Sequence, residues 1–304
     1  MILDTSMPKI IPWIVVIGVL AIVIVMGALS LASSRPQAQA DVAATIFPLY
    51  DLARTIAEPE TSVALVLDPG ASPHTFEVTP RKATELAHVD TIFAIGNGLD
   101  GWVSDVANIS DASIVTVDDG IELLCIEEDG VCDPHYWLDA QNAIAIAQTI
   151  RDTLIARDPA HAQVFAQRTQ QLMDKLKGLD AELTEQFGAL EHTDIITFHD
   201  GFGYFAAAYG LNIRGVFEPS PGREPSAQSI AKLHELVSVY TIRTLYREPQ
   251  LSDASIMAFV EDVDVSIATL DPIGGVEERQ NYFELLRYNA RVLQETLNTG
   301  GDSR

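Results

Sequence analysis

Short β-branched or apolar runs alternate with helix-patterned stretches along this chain, break off once and then resume. That rhythm restricts the fold more than any other feature. Val42 to Phe47, Ser62 to Leu67, Thr91 to Ile95 and Ile114 to Val117 read as strands with helices between them, which predicts a parallel α/β sheet. After Val117 the pattern stops. From Gln141 to Ala156 and again from Pro159 to Leu190 the sequence is helical, the second stretch opening with Asp158 as N-cap and Pro159 at the first helical position. Its apolar residues Phe165, Leu172, Leu176, Leu179, Leu183, Phe187 and Leu190 recur at helical steps and mark one buried face. At 1.5 Å per residue such a helix runs about 45 Å, enough for a stiff spine.

The α/β rhythm then returns, with strands expected at Asp194 to Phe198, Ile213 to Phe217, Ile242 to Tyr246 and Val265 to Leu270. Helices are expected at Gly203 to Tyr209, Ala227 to Val239, Asp253 to Val260 and Asn281 to Leu297. The predicted fold class is therefore α/β: two lobes, each with a four-stranded parallel sheet flanked by helices, joined by one long rigid helix. The expected division is a leader at 1–40, an N-terminal lobe at 41–157, the linking helix at 158–191 and a C-terminal lobe at 192–304. With 304 residues and 47% hydrophobic content the chain can fill two cores.

Ile10 to Ala32 is an almost unbroken apolar run, preceded by Lys9 and followed by a polar stretch. It reads as an export signal cleaved after Ala38-Gln39-Ala40, or as a retained membrane anchor, since about 20 apolar residues suffice to span a bilayer. Either reading places the rest of the chain outside the cytoplasm. No Cys stands near the end of the run to accept a lipid. Cys125 and Cys132, the two cysteines present, are then expected to form a disulfide closing a short acidic loop, with free thiols or soft metal ligands as the other readings. A net charge of -24, from 43 acidic and 19 basic residues, excludes nucleic acid as a partner, because phosphate binding needs a basic face.

In open α/β sheets, ligands bind beyond the carboxyl ends of the strands. His74 lies in the loop Asp68-Pro-Gly-Ala-Ser-Pro-His after the second expected strand, and His135 lies in Asp133-Pro-His-Tyr-Trp-Leu-Asp after the fourth. His199 directly follows Ile195-Ile-Thr-Phe, and Asp271 follows Ile267-Ala-Thr-Leu. Two candidates from each lobe would converge on one cleft. Three imidazoles and a carboxylate form a tetrahedral donor set that suits Zn²⁺. His88, His161, His192 and His234 fall within or beside helices and read as structural or surface residues.

Those residues, with Ser72-Pro-His-Thr-Phe-Glu, Phe198-His-Asp-Gly-Phe-Gly-Tyr-Phe, Tyr209-Gly-Leu, Glu218-Pro-Ser, Tyr246-Arg-Glu-Pro-Gln-Leu-Ser, Leu270-Asp-Pro-Ile-Gly and Tyr282-Phe-Glu-Leu-Leu-Arg-Tyr-Asn, carry a resemblance. The chain resembles the zinc and manganese solute-binding proteins of bacterial ABC importers (cluster A-I), the periplasmic zinc-binding type in particular. The resemblance runs from about Ala43 to Leu297. It implies a metal site between two lobes to which His74, His135, His199 and Asp271 contribute. It also implies a cognate ABC permease in the inner membrane as partner, a periplasmic location, and a binding protein with no catalytic residues, acting as a monomer. Manganese-type members resemble this chain with a Glu at the position of His199, so histidine there favours zinc over manganese or iron. Zinc-type relatives often carry a histidine-rich acidic loop before the His135 motif, whereas this chain has only Leu124-Cys-Ile-Glu-Glu-Asp-Gly-Val-Cys. Glu127, Glu128 and Asp129 there read as a solvated loop tip.

Glu77 and Asp200 are candidates to orient ligand imidazoles, Glu248 is a group able to approach the metal, and Trp102 and Trp137 read as packing residues near the cleft. Because ligand imidazoles must be neutral, binding is expected to weaken at mildly acidic pH. The rival from another class is a zinc hydrolase, with His74, His135 and His199 on the metal, water in the fourth position and Glu248 or Asp200 as base. Coordination by Asp271 would leave that hydrolase no open position.

Overall fold

The structure is a computed structural model that describes residues 40–125, 130–218, 225–251 and 254–298. The leader, the acidic loop tip at Glu127 to Asp129 and the Pro-Ser of the Glu218 motif lie outside the described residues.

The first sheet contains β1 (Val42–Ala44), β2 (Val63–Leu65), β3 (Thr91–Ala94) and β4 (Ser113–Thr116) in the order β2-β1-β3-β4, every pair parallel. The second contains β5 (Asp194–His199), β6 (Asn212–Glu218), β7 (Thr244–Arg247) and β8 (Ser266–Thr269) in the order β6-β5-β7-β8, again all parallel. Strands covered on both faces by helices must be apolar throughout. Accordingly every residue of β1 and β3 is buried, whereas the edge strands β4 and β8 keep exposed and half-buried positions. The two sheets of four parallel strands are those expected from the sequence rhythm.

The flanking helices of the first lobe are α1 (Phe47–Ala57), α2 (Pro80–Glu85), α3 (Val103–Ser110) and α4 (Ala140–Arg157). The long helix α5 (Ala162–Gly188) follows, and the second lobe adds α6 (Gly203–Tyr209), α7 (Ala227–Val239), α8 (Ala254–Val263) and α9 (Tyr282–Asn298). Asp139 starts α4 by accepting the Gln141 backbone N–H on its side chain. Gly210 ends α6 in the left-handed conformation, at φ 75°, where a residue without Cβ is unstrained.

Helix α5 is 27 residues long, or about 40 Å. Phe165, Leu172, Leu176, Leu179, Leu183 and Phe187 are buried along it, as their periodicity predicts; Leu190 falls beyond its end and is only partly buried. Its start differs from expectation. Pro159–His161 forms a separate 3₁₀ turn, and Asp158 makes no capping hydrogen bond there, its carboxylate instead meeting His161 Nδ1 at 2.6 Å.

One continuous apolar cluster includes Phe47 and Trp137 of the first lobe, Leu176 of α5, and Phe205 and Tyr282 of the second. Polar contacts add to it across the lobes. The Trp137 indole donates to Pro272 O (2.8 Å), Tyr282 OH donates to Trp137 O (2.6 Å), and the Tyr282 N–H donates to Asp51 Oδ2 (2.8 Å). Gly275 lies so close to Phe47 that a Cβ there would stand 2.9 Å from the ring. Among the described residues no helix is long and apolar enough to cross a membrane.

Candidate metal centre

Parallel strands within each lobe end on the same side, so the loops after them emerge together. His74 is carried by the loop after β2. The Trp102 indole donates to Pro73 O at 2.9 Å, and Phe76 packs edge-on against Trp102 with ring centroids 4.5 Å apart, which fixes the loop beside His74. Trp102 thus packs as expected and also anchors the loop.

His135 precedes a 3₁₀ turn at Tyr136–Leu138, where Tyr136 donates its hydroxyl proton to Ile95 O at 2.7 Å and seats the turn on β3. The Asp133 carboxylate accepts from the His135 backbone N–H (2.9 Å) and contacts its Nδ1 (2.7 Å). A carboxylate on Nδ1 fixes that nitrogen as the donor and leaves the Nε2 lone pair available. Across the lobes, Tyr204 OH donates to Asp133 O (3.2 Å) and accepts from the Leu124 N–H (2.8 Å), beside the disulfide that Cys125 and Cys132 form as expected. Asp133 stood in the sequence motif without an assigned role; its signal was its place two residues before His135, within reach of both the ring and the backbone N–H. Glu77 and Asp200, the orienting groups expected from sequence, are exposed, and neither is hydrogen-bonded to a ligand imidazole.

His199 is the last residue of β5, aligned with Glu218 on β6. It is buried, and neither ring nitrogen has a hydrogen-bond partner. The three imidazoles converge: ring centroids lie 5.5 Å apart for His74 and His135, 4.9 Å for His74 and His199, and 5.2 Å for His135 and His199. One nitrogen from each ring falls within 4.8 Å of the other two. Burial, reinforced by His135, pushes His74 down to about 4; burial, His135 and His74 push His199 down to about 3. Both rings are therefore neutral near pH 7, with lone pairs free to meet a cation, and the unpartnered nitrogens of His199 are ones that a bound ion would satisfy.

Asp271 follows β8 as expected, fully buried, but lies outside the group of three histidines. Its Oδ1 accepts from Gln250 Nε2 (2.6 Å) and from the backbone N–H groups of Ile273 (3.0 Å) and Gly274 (3.1 Å); its Oδ2 lies 3.1 Å from Arg279 Nε, an ion pair without a hydrogen bond, so that both atoms are buried and lack a hydrogen-bond partner. Asn289 bonds both its backbone N–H and its C=O. Glu248, in the loop after β7, is buried, and its Oε1 has no hydrogen-bond partner. It lines a small cavity together with His74, His135, Gln250 and Ile273. Burial and the nearby Asp271 push its carboxyl up to about 8.

A family model described as zinc-uptake complex component A, periplasmic, matches residues 42–296. The zinc-binding protein AdcA of Streptococcus pyogenes is 27% identical over 290 residues, covering 86% of this chain and 56% of that protein. The chain thus spans little more than half the length of this relative. The manganese-binding lipoprotein MntA of Halalkalibacterium halodurans is 27% identical over 251 residues, covering 79% of this chain and 83% of that protein. The crystal structure of ZnuA superposes with a TM-score of 0.76 at 22% identity, covering 85% of this chain and 99% of that one. The match of the family model over nearly all of the described residues shows that the chain belongs to the zinc-uptake complex component A family.

Proposed function

We propose that the protein is the extracytoplasmic zinc-binding component of an ABC importer, which captures Zn²⁺ between its two lobes and delivers it to a permease in the inner membrane. The observation that carries this reading is the convergence of His74, His135 and His199 from both lobes, with both ring nitrogens of buried His199 unpartnered. Three imidazoles favour a borderline metal such as zinc over manganese, which prefers oxygen donors. His74 and His135 receive the hydrated ion, and His199 displaces water from it. A second-lobe carboxylate supplies the remaining donor, the position after the last strand making Asp271 the candidate. The protein acts as a carrier rather than an enzyme, as an exported monomer in the periplasm, with the ion as its cargo.

Replacing His199 with Ala tests this. Calorimetric titration of the metal-free protein with zinc should show affinity lowered on the order of 100-fold or more, beyond the 10–100-fold typical of groups that only orient a ligand. Unaltered binding would remove His199 from the site.

A further inference from the structure

The described residues between Val117 and Pro134, which join β4 to His135 and the turn after it, belong to no helix and to neither sheet. Their order rests on cross-links. Cys125 and Cys132, seven positions apart, are joined by the disulfide and pair as an isolated antiparallel bridge. The residues just outside that bond are tied together as well. The Asp133 N–H donates to Leu124 O at 2.8 Å, and Tyr204 OH accepts from the Leu124 N–H and donates to Asp133 O. Beside Asp133 also stands Gly203, the first residue of α6, where a Cβ would lie 2.7 Å from Asp133 Oδ2. Asp133 is thus gripped between the disulfide stem and the start of α6, and it is the residue that holds His135 at ring and backbone. The non-covalent ties are single hydrogen bonds, each of modest net worth, and Leu124 and Cys125 are exposed. The covalent bond is therefore what keeps the stem paired, and a stem with few buried contacts opens readily once that bond is cut.

We propose that the Cys125–Cys132 disulfide is a redox-sensitive clamp on the metal centre, acting through Asp133 and Tyr204. Oxidised, it holds His135 in place for the ion; reduced, it lowers the affinity for the ion. The partner is a dithiol reductant. One of its thiolates attacks a sulfur of the pair and expels the other as a thiolate, and its second thiol then resolves the mixed disulfide. Two electrons and two protons pass to the protein, and the reductant is left as a disulfide. The proposal rests on the histidine centre being a metal site.

Zinc affinity is measured by competition with a chromophoric chelator for the full chain, oxidised and after reduction with a water-soluble phosphine, which becomes the phosphine oxide as water supplies its oxygen and the two protons. Wild type, Cys125→Ser/Cys132→Ser and Asp133→Asn are compared. Reduction is expected to lower wild-type affinity on the order of 10-fold, and reoxidation to restore it. The double serine variant should match reduced wild type in both conditions. In Asp133→Asn, reduction should have no further effect, a result that a general loosening of the fold would not give. Should the serine variant fail to fold, the response of wild type to the phosphine, set against that of Asp133→Asn, carries the same comparison. A reduced affinity within twofold of the oxidised one, tighter binding through the freed thiols, or an equal further loss in Asp133→Asn would overturn the clamp. An oxidised wild type that binds no zinc would overturn the carrier reading, and the clamp with it.

Discussion

Asp133 is the clearest case of a residue acting through another. Its carboxylate holds His135 at two points, the ring Nδ1 and the backbone N–H, so Asp133→Asn should lower zinc affinity about 10–100-fold without altering the circular dichroism of the metal-free protein. An affinity within twofold of wild type would mean that the ring is oriented by packing alone. The titrating groups of the centre give the metal-free protein a characteristic pH profile. His74 and His199 are held down to about 4 and 3, against about 6.5 when unfolded. The unfolded chain therefore binds the extra protons, and stability is lost as pH falls from about 6.5 towards those values. Glu248, pushed up to about 8, behaves oppositely. Its native state holds a proton that the unfolded chain lacks between about 4.5 and 8, so stability is lost as pH rises through that range. Above about pH 6.5 the glutamate acts alone, and below it the two histidines outweigh it. The melting temperature of chelator-treated protein should peak near pH 6.5, with His199→Gln flattening the acid limb and Glu248→Gln the alkaline one. A melting temperature that rises steadily from pH 4 to 8 would contradict this balance.

At the scale of elements, the spine and the strands were legible because each has a period that its burial enforces. The apolar spacing from Phe165 to Phe187 is the buried face of α5, and both α6 and α7 begin and end where the sequence placed them. Strand ends were less legible, β1 stopping at Ala44 rather than Phe47 because Phe47 and Pro48 already open α1. The three histidines could be read from sequence because each follows a strand or its loop. The setting of Asp271 could not, because its partners Gln250, Arg279 and Asn289 come from three other segments, and only the folded turn shows that Oδ1 is taken up by N–H donors while Oδ2 keeps no hydrogen bond. The face of α5 supplies its own test. Leu176 is fully buried within the shared core, so Leu176→Ala should destabilise the protein by about 2–5 kcal/mol in denaturant unfolding, and a loss below about 1 kcal/mol would show that the spine is not integral to that core.

At the scale of the whole molecule, the lobes are not free bodies on a hinge. They share one apolar cluster along α5, and Trp137, Pro272, Tyr282 and Asp51 bond across them. On the proposed function, metal entry and release proceed by small shifts of the loops at the histidine centre, and the radius of gyration measured by X-ray scattering should change by less than about 1 Å on zinc binding. A larger contraction would indicate domain closure. The central claim is that three imidazoles from two lobes select zinc, and it is tested most directly by direct competition. Metal-free protein is equilibrated with equal free concentrations of zinc and manganese, and the bound metal is measured. One zinc ion per chain with manganese near background is the predicted result; manganese at or above the zinc level would contradict it.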